Sequence, residues 1–261
     1  MQKVTLVALL LATALSSSVM AAPPTADYVP KAGLIAYYPL NGDALDWSPT
    51  GGHHGTVYGS PSYVMTDLPL FVSNNQAMQM NGVSDYVALS PSMIGDYVSV
   101  GLWVNTTTTA TGGEETPLLV RLRGNGFALF LNYPSPGNVF LDLYNGTSSH
   151  YVVSVPVSLN DGRWHHICMC YGSTYGLQIF IDGTLRLQDD SMGKTPIYST
   201  DAGLTLSRDA NVSAHYYNGL MDEVVFYNRA LTADEVHVLY DEGWAVEAVN
   251  SSWGNIKNEY R

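Results

Sequence analysis

The loop between Asn41 and Gly55 carries side chains that are suited to binding a hard cation. Asn41, Asp43 and Asp46 lie close together there, among glycine, serine and histidine residues. Calcium is bound by about six to eight oxygen atoms from carboxylates, amides and backbone carbonyls, at flexible distances. The same side chains are also typical of Asx turns, in which they accept hydrogen bonds from the backbone that follows. From the residues alone, a calcium loop and a series of Asx turns both stay open.

Aromatic residues in predicted loops indicate a second kind of chemistry, the binding of carbohydrate. Ligand sites combine aromatic and apolar surface, which packs against sugar C–H groups, with a few polar groups that fix orientation. The alternative is that these tyrosines line the edge of a β-sandwich core, since the chain contains 18 of them. The candidate ligand-binding residues are Tyr133, Tyr175, His215, Tyr216 and Tyr217.

Adjacent acidic residues in the chain do not form the carboxylate dyad of a glycosidase. Neighbours on a strand face opposite sides, so neither member of such a pair can act with the other on one sugar. The chain also lacks a Gly-x-Ser-x-Gly elbow and a P-loop. We therefore predict a binding module and not an enzyme, with no catalytic residue. Carboxylates from different strands can still meet, so a polysaccharide hydrolase stays as an alternative. The pairs are Glu114-Glu115, Asp189-Asp190 and Asp222-Glu223.

Two cysteines and two adjacent histidines lie in one predicted strand. Cys168 and Cys170 should point to the same face, separated by two rises of about 3.3 Å each. A disulfide needs Cβ atoms about 3.5–4.5 Å apart, so we expect two free, buried thiols. His165 and His166 should point apart in an extended chain, which makes them strand residues and not zinc ligands.

Charge and the N-terminal segment narrow the class of protein. The formal net charge is −12, which argues against binding to nucleic acid or anionic membranes and is compatible with a cation or a neutral glycan.

Residues 1–22 read as a signal peptide, because the apolar run from Val4 to Leu15 is shorter than the roughly 20 residues of a membrane helix. We expect a secreted, extracellular protein with no membrane span; the periplasm and the cell surface stay open as destinations.

The elements that must position these residues are short strands. Segments of alternating apolar and polar residues recur between turn signals, and Asp182-Gly183 predicts a hairpin. This pattern is typical of an all-β sandwich. One short C-terminal helix is expected after Thr232, because Thr232 and Glu235 have the spacing of a capping box. The strands are predicted at 33–40, 96–104, 117–123, 127–133, 139–144, 151–157, 164–171, 177–182 and 184–188.

Five segments in order resemble laminin-G-like jelly-roll domains of the concanavalin A-like lectin/glucanase superfamily. They are the opening strand and loop (33–57), Met80–Val87, Trp164–Ile167, Ile179–Gly183 and the closing segment Asn218–Val236. The resemblance implies an antiparallel two-sheet jelly-roll β-sandwich. It places a leader at 23–32, the domain at 33–243 and a tail at 244–261.

The resemblance also implies a structural calcium ion where the opening loop meets the closing strand. Asp222 would then bring a charge from the C-terminal strand to a site formed by Asn41, Asp43 and Asp46. The function expected on this basis is a calcium-stabilised, lectin-like module that binds carbohydrate or a cell-surface ligand. The alternative is a structural or adhesion domain with protein partners and no sugar site.

Overall fold

The computed structural model of the 261-residue chain describes residues 29–65, 76–90, 97–109, 116–121, 127–144, 150–191, 203–209 and 215–241. The predicted signal peptide (1–22) and tail (244–261) and most of the leader lie outside the described residues. Within them, no helix is long and apolar enough to cross a membrane. The strands are β1 (Leu34–Tyr38), β2 (Thr56–Tyr58), β3 (Ser62–Met65), β4 (Gln76–Asn81), β5 (Tyr86–Leu89), β6 (Val98–Asn105), β7 (Thr116–Arg121), β8 (Phe127–Leu131), β9 (Val139–Tyr144), β10 (His150–Val155), β11 (Trp164–Gly172), β12 (Gly176–Ile181), β13 (Thr184–Asp189), β14 (Leu204–Leu206) and β15 (Asn218–Tyr227).

The strands form two antiparallel sheets that pack face to face, as the prediction of an all-β jelly roll requires. The first sheet runs β13-β12-β11-β6-β15-β4-β3, with β1 also paired to β15. The second runs β10-β9-β8-β7-β14-β5-β2. The predicted hairpin at Asp182-Gly183 is confirmed, and both residues have positive φ. Strands β2 and β3 were not predicted, because they are only 3 and 4 residues long, too short to show a period in the sequence.

The main core lies between the two sheets and uses one face of each strand. It contains Leu102 and Ile167 from the first sheet and Leu129 and Leu141 from the second, all almost fully buried. Alternate residues on the strands of the first sheet face outward, and several are buried there as well. This outer face is covered by the single helix described, residues 233–241.

The helix packs on the outer face of the first sheet through a second apolar cluster that includes Val236 and Leu239. Its N-terminus is the predicted capping box: Thr232 N donates to Glu235 Oε2 at 2.9 Å, and Glu235 N donates to Thr232 Oγ1 at 3.2 Å. Cys168 lies in the same cluster and, like its neighbour Cys170, is free and buried, as expected.

Candidate functional site

The closing strand β15 changes its neighbour half-way along one side. Its first half, Asn218 to Met221, pairs with β4, and its second half, Val224 to Tyr227, pairs with β1. On the other side β6 pairs with both halves. Asp222 and Glu223 therefore lie at the point where β1 and β4 meet along β15, which we call the strand junction.

A β-bulge at the strand junction breaks the alternation of side chains along β15. The register against β6 shifts between Asp222 and Val225, and Glu223 has a φ of 50°. Asp222 is opposite Trp103, whose ring packs on the outer side of the sheet against Tyr240 of the helix. The Glu223 carboxylate also lies on that side. The expectation that Asp222 and Glu223 face opposite ways was wrong, because one extra residue intervenes.

The two carboxylates of the strand junction are both buried. Glu223 Oε2 accepts a hydrogen bond from the Tyr37 hydroxyl at 2.6 Å. Asp222 is 0% exposed; its Oδ1 accepts a bond from Glu223 N at 2.9 Å, but its Oδ2 has no hydrogen-bond partner. Burial, together with the negative charge of Glu223, holds the pKa of Asp222 well above its usual range. A buried oxygen in this state requires either a proton or a cation.

The predicted ligands of the opening loop behave mainly as organisers of turns. Asp46 Oδ1 accepts hydrogen bonds from Tyr37 N and Ser48 N, and its Oδ2 accepts one from His53 N. Asp43 Oδ1 accepts a bond from Leu45 N at 3.0 Å, which is an Asx turn. The Asx-turn interpretation therefore applies to both aspartates.

Asn41 ties the opening loop to the start of β4. Its Oδ1 accepts a hydrogen bond from Gln76 N, at the first residue of β4, while its Nδ2 is buried without a partner. Within the described part of the chain, no three acidic, histidine or cysteine side chains come together as metal ligands. At the strand junction, the buried oxygen that a cation could satisfy is Asp222 Oδ2.

A second cluster of polar and aromatic side chains lies on the outer face of the second sheet, near its β2 edge. Tyr58 of β2 is opposite Tyr86 of β5, and their rings stack at 4.6 Å with an interplanar angle of 2°. The Arg208 guanidinium carbon lies 4.7 Å from the Tyr86 ring centre, and Tyr216 lies 6.5 Å from it. We call Tyr58, Tyr86, Arg208 and Tyr216 the tyrosine–arginine stack.

The β2 side of the tyrosine–arginine stack is held in place by Asp85. This buried carboxylate accepts hydrogen bonds from Ser60 N at 2.9 Å and Asn81 N at 3.2 Å. Gly59 makes the close approach possible: it has a φ of 82°, and a Cβ there would collide with Asp85 Oδ1. The turn after β2 is thus fixed against β5, which brings Tyr58 beside Tyr86.

The Arg208 side of the stack is set by a reversal of the chain after β14. Ser207 has a φ of 70°, and its hydroxyl donates to the carbonyl of Asp85 at 3.1 Å. This conformation turns Arg208 over the outer face of Tyr86. Arg208 then pairs with Tyr216 in an isolated bridge, so both side chains stand over the same part of the sheet.

A family model described as the concanavalin A-like lectin/glucanases superfamily matches residues 81–237, which is more than half of the chain. The chain belongs to this laminin-G-like family. The match includes all but the first residue of the Met80–Val87 segment, and it includes the closing strand with Asp222. Tyr86, Arg208 and Tyr216 of the tyrosine–arginine stack also lie within the matched residues, whereas Tyr58 lies before them.

Solved structures with the same fold include binding domains of larger proteins. Domain 4 of AbnA, an extracellular arabinanase from Geobacillus stearothermophilus solved in complex with arabinotriose, has a TM-score of 0.63 and 22% identity, covering 81% of this chain and 100% of that one. The binding domain of Paraclostridial Mosquitocidal Protein 1 has a TM-score of 0.65 and 14% identity, covering 80% of this chain and 52% of that one. At these identities the likeness concerns the fold.

Among curated proteins, adhesion G-protein coupled receptor D1 is similar to part of the chain. The human receptor is 29% identical over 90 residues, which is 34% of this chain and 10% of the receptor. The bovine receptor is 32% identical over 78 residues, which is 30% of this chain and 8% of the receptor. This chain thus spans about a tenth of the length of the curated relatives that it matches.

The laminin-G-like fold separates the five residues predicted to bind a ligand. Tyr216 lies in the tyrosine–arginine stack, and His215 precedes it, with its carbonyl accepting a bond from Asp209 N. Tyr133 is half-buried against Phe140 at 4.6 Å.

Tyr217 and Tyr175 lie away from the tyrosine–arginine stack, and one of them is buried. Tyr217 is 0% exposed, and its hydroxyl lies 2.9 Å from the Leu220 carbonyl and 3.1 Å from that of Asn105. Its prediction as a ligand-binding residue was wrong, because that side chain belongs to the core. Tyr175 is 54% exposed but lies in the turn between β11 and β12 of the first sheet.

Sequence reasoning missed Tyr58, Tyr86 and Arg208. A signal was present for the tyrosines, since Thr56 to Tyr58 and Tyr86 to Leu89 both have the composition of short strands. Nothing local pointed to their pairing, which needs the register of β2 on β5. Arg208 carried no signal, because its contact with Tyr86 depends on the path of the chain after β14.

Proposed function

We propose that this laminin-G-like domain is a carbohydrate-binding module and that the tyrosine–arginine stack is its sugar site. The observation that carries the proposal is the exposure of Tyr58, which is 45% exposed although it is packed on Tyr86. In the described part of the chain, β2 is the last strand of its sheet, so no described strand lies beside the ring face of Tyr58 that is turned away from Tyr86. An open aromatic face held by a rigid scaffold suits the C–H face of a sugar.

Polar groups beside that face would supply orientation. The hydroxyls of Tyr58 and Tyr86 and the guanidinium of Arg208 all belong to the same stacked column. Because the column is fixed by stacking and by Asp85, little side-chain entropy would be lost on binding. The arabinotriose complex of the arabinanase domain supports this proposal as an example of a sugar bound by a protein of this fold.

Binding should be tested first on a broad glycan array and then by titration calorimetry with the best sugar. We expect Tyr58→Ala to lower affinity by about tenfold or more, as stacking of this kind contributes on the order of 1–2 kcal/mol. Tyr175→Ala is the matched control, because Tyr175 is a similarly exposed tyrosine of the other sheet. A silent array with folded protein would overturn the proposal and favour an adhesion domain with a protein partner. Loss of binding with Tyr175→Ala alone would also overturn it.

We also propose that calcium stabilises the domain at the strand junction, with Asp222 as the charged ligand. The support is the buried, unpartnered Oδ2 of Asp222, together with the position of Asn41 beside β4. Asp43 and Asp46 would shape the loop that supplies further oxygens. Thermal melts of wild type and Asp222→Asn with EGTA and with calcium would test this. We expect calcium to raise the melting temperature of wild type only; an equal response of both proteins would contradict it.

Export is proposed from the sequence of residues 1–22 and from the family. When the full chain is expressed with its N-terminus, we expect the protein outside the cytoplasm to have lost this segment. The mass of the recovered protein tests this directly, and an intact N-terminus on the exported protein would contradict cleavage after about residue 21.

A further inference from the structure

We infer that the sugar recognised at the tyrosine–arginine stack carries an acidic group, and that Arg208 binds that group. The inference rests on the proposed function and concerns the chemical class of the ligand. Its basis is the state of the Arg208 side chain, whose guanidinium lies over Tyr86 while its Nε is buried without a hydrogen-bond partner.

Arg208 has no carboxylate partner among the described residues, although the protein is strongly acidic. Arg229 forms a two-fold contact with Glu235, at 2.7 Å and 2.5 Å, and Arg163 lies 3.9 Å from Asp161. The Nε of Arg208 is buried and has no hydrogen-bond acceptor. With 23 acidic residues and 11 basic residues in the chain, a half-buried guanidinium that pairs with no carboxylate is unusual.

The geometry of Arg208 suits a planar or tetrahedral anion. Its guanidinium lies over the face of Tyr86, which fixes the group by a cation–π contact. The N–H groups of a guanidinium lie in its own plane, so a contact through its face does not use them as hydrogen-bond donors. Such a fork matches the two oxygens of a carboxylate, or two oxygens of a sulfate, and the stacking has already limited its rotamers.

Among the described contacts, neither Asp85 nor the adjacent, buried Asp209 forms an ion pair with Arg208. The two oxygens of Asp85 accept the backbone bonds of Ser60 and Asn81. The net charge of −12 repels an anion at long range, but charges more than about 8 Å away are largely screened at physiological salt. The guanidinium of Arg208 therefore decides whether an acidic sugar binds more tightly than a neutral one. The remote negative charges weaken this preference for acidic sugars at low salt.

Together these contacts define a small recognition unit at the edge of the sheet. Tyr58 and Arg208 lie 4.6 Å and 4.7 Å from the centre of the Tyr86 ring, on the β2 side and the β14 side of it. A bound oligosaccharide would therefore pack one ring on the open face of Tyr58 and bring the acidic group of another ring to the fork of Arg208. A uronic acid and a sulfated sugar share this chemistry. A neutral sugar would use only the aromatic face.

The test is titration calorimetry with paired oligosaccharides that differ only in charge. The probes are an oligogalacturonide with its methyl ester, and a sulfated galactan oligomer with its desulfated form. We expect the acidic member of at least one pair to bind about tenfold or more tightly, since hydrogen bonds to charged groups are about twice as strong as neutral ones. The pair that shows the difference identifies carboxylate or sulfate as the group.

Two substitutions localise the effect. Arg208→Gln should remove the preference, so that the two members of a pair bind with equal affinity, whereas Arg208→Lys should keep only part of the preference because the fork is lost. Arg186→Gln on the exposed edge strand β13 is the control for net charge and should keep the preference. Equal losses in Arg208→Gln and Arg186→Gln would overturn the inference, as would equal affinity for both members of each pair.

The proposed function and the inference fail in different ways. If wild type binds sugars through Tyr58 but without a preference for acid, only the inference is wrong. If wild type binds none of the probes and none of the arrayed glycans, both are wrong. Circular dichroism of each variant excludes loss of folding as the reason for lost binding.

Discussion

The imidazole of His165 lies between the carboxylates of Asp182 and Asp161, and this contact should make the stability of the domain depend on pH. Its Nδ1 lies 2.8 Å from Asp182 Oδ2, and its Nε2 lies 3.1 Å from Asp161 Oδ1. A neutral imidazole has a single N–H, so only the charged imidazolium can donate to both carboxylates. The hydrogen bond to Asp182 raises the pKa of His165, in spite of the opposite effect of burial. This contact joins the turn before β11 to the turn between β12 and β13.

The perturbation that tests this contact is His165→Gln, with stability measured at two pH values. Two charge-assisted hydrogen bonds contribute about 1.5–3 kcal/mol each when buried, but Asp161 and Asp182 are 40% and 30% exposed. Solvent screening reduces the expected total to about 1–2 kcal/mol. We therefore expect His165→Gln to lower the free energy of unfolding by that amount in mildly acidic buffer.

The sign of the pH dependence follows from the raised pKa of His165. Its stabilising contribution is complete below the unfolded value of about 6.5 and is lost as pH rises through the higher folded value. For Asp161, burial raises the pKa, but the bonds from Arg163 N and His165 outweigh it and lower the pKa. Its contribution is therefore present above about pH 4 and is lost as pH falls through the lower folded value. The contact is therefore strongest above about pH 4, where Asp161 is ionised, and below the raised pKa of His165, where the imidazole is charged.

The next residue in β11, His166, does not titrate in this range. Burial lowers the pKa of His166 to about 4, so His166 stays neutral beside Trp103, at 5.2 Å between ring centres. Tyr240 of the helix lies near the His166 ring and is neutral as well, since burial raises the pKa of its hydroxyl. A pH response that is lost in His165→Gln is therefore assigned to His165 and not to His166.

Urea denaturation at about pH 5.5 and about pH 8.5 gives the required free energies. We expect the difference between wild type and His165→Gln to shrink at the higher pH. His237→Gln is the matched control, because His237 is 53% exposed and lies 3.5 Å from Asp241. It should change stability by less than about 0.5 kcal/mol at both values. If His165→Gln lowers the free energy of unfolding by the same amount at both pH values, the reasoning is refuted.

Three further predictions concern stability and binding. Thr232→Ala should lower the free energy of unfolding by about 1 kcal/mol through loss of the helix cap, measured by urea denaturation; no change would mean that the capping bonds to Glu235 contribute nothing. Gly59→Ala should lower both the melting temperature and sugar affinity, since a Cβ at positive φ collides with Asp85; unchanged affinity would contradict the role of this turn in placing Tyr58. Tyr217→Phe should lower the free energy of unfolding by about 1 kcal/mol, because the Leu220 carbonyl loses a donor, and should leave sugar affinity unchanged in calorimetry.

The parts of the fold that the sequence predicted are those controlled by neighbouring residues. The hairpin at Asp182-Gly183 follows from two residues that accept positive φ, and both have it. The helix begins where Thr232 and Glu235 can exchange hydrogen bonds within one turn. The free thiols of Cys168 and Cys170 follow from the side-chain period of a single strand.

The candidate sites were predicted only in part, because each is built from distant segments. Tyr216 was expected at a ligand site, but its neighbours Tyr86 and Arg208 were not. Strand alternation assigned Asp222 and Glu223 to opposite faces, whereas the bulge brings both to the outer side. Tyr217 was expected in an exposed loop and lies in the core.

The sequence by itself predicted an all-β sandwich with a capped C-terminal helix, because periodicity, turn residues and caps act over a few residues, and its five segments in order resemble the laminin-G-like family. Only the tertiary structure decided what the chemically active side chains do. The unpartnered oxygen of Asp222 depends on how β1, β4 and β6 meet β15, and the stacking of Arg208 on Tyr86 depends on the register of three strands. Strand register is set by the packing of the whole sandwich, so no single segment of the chain specifies it.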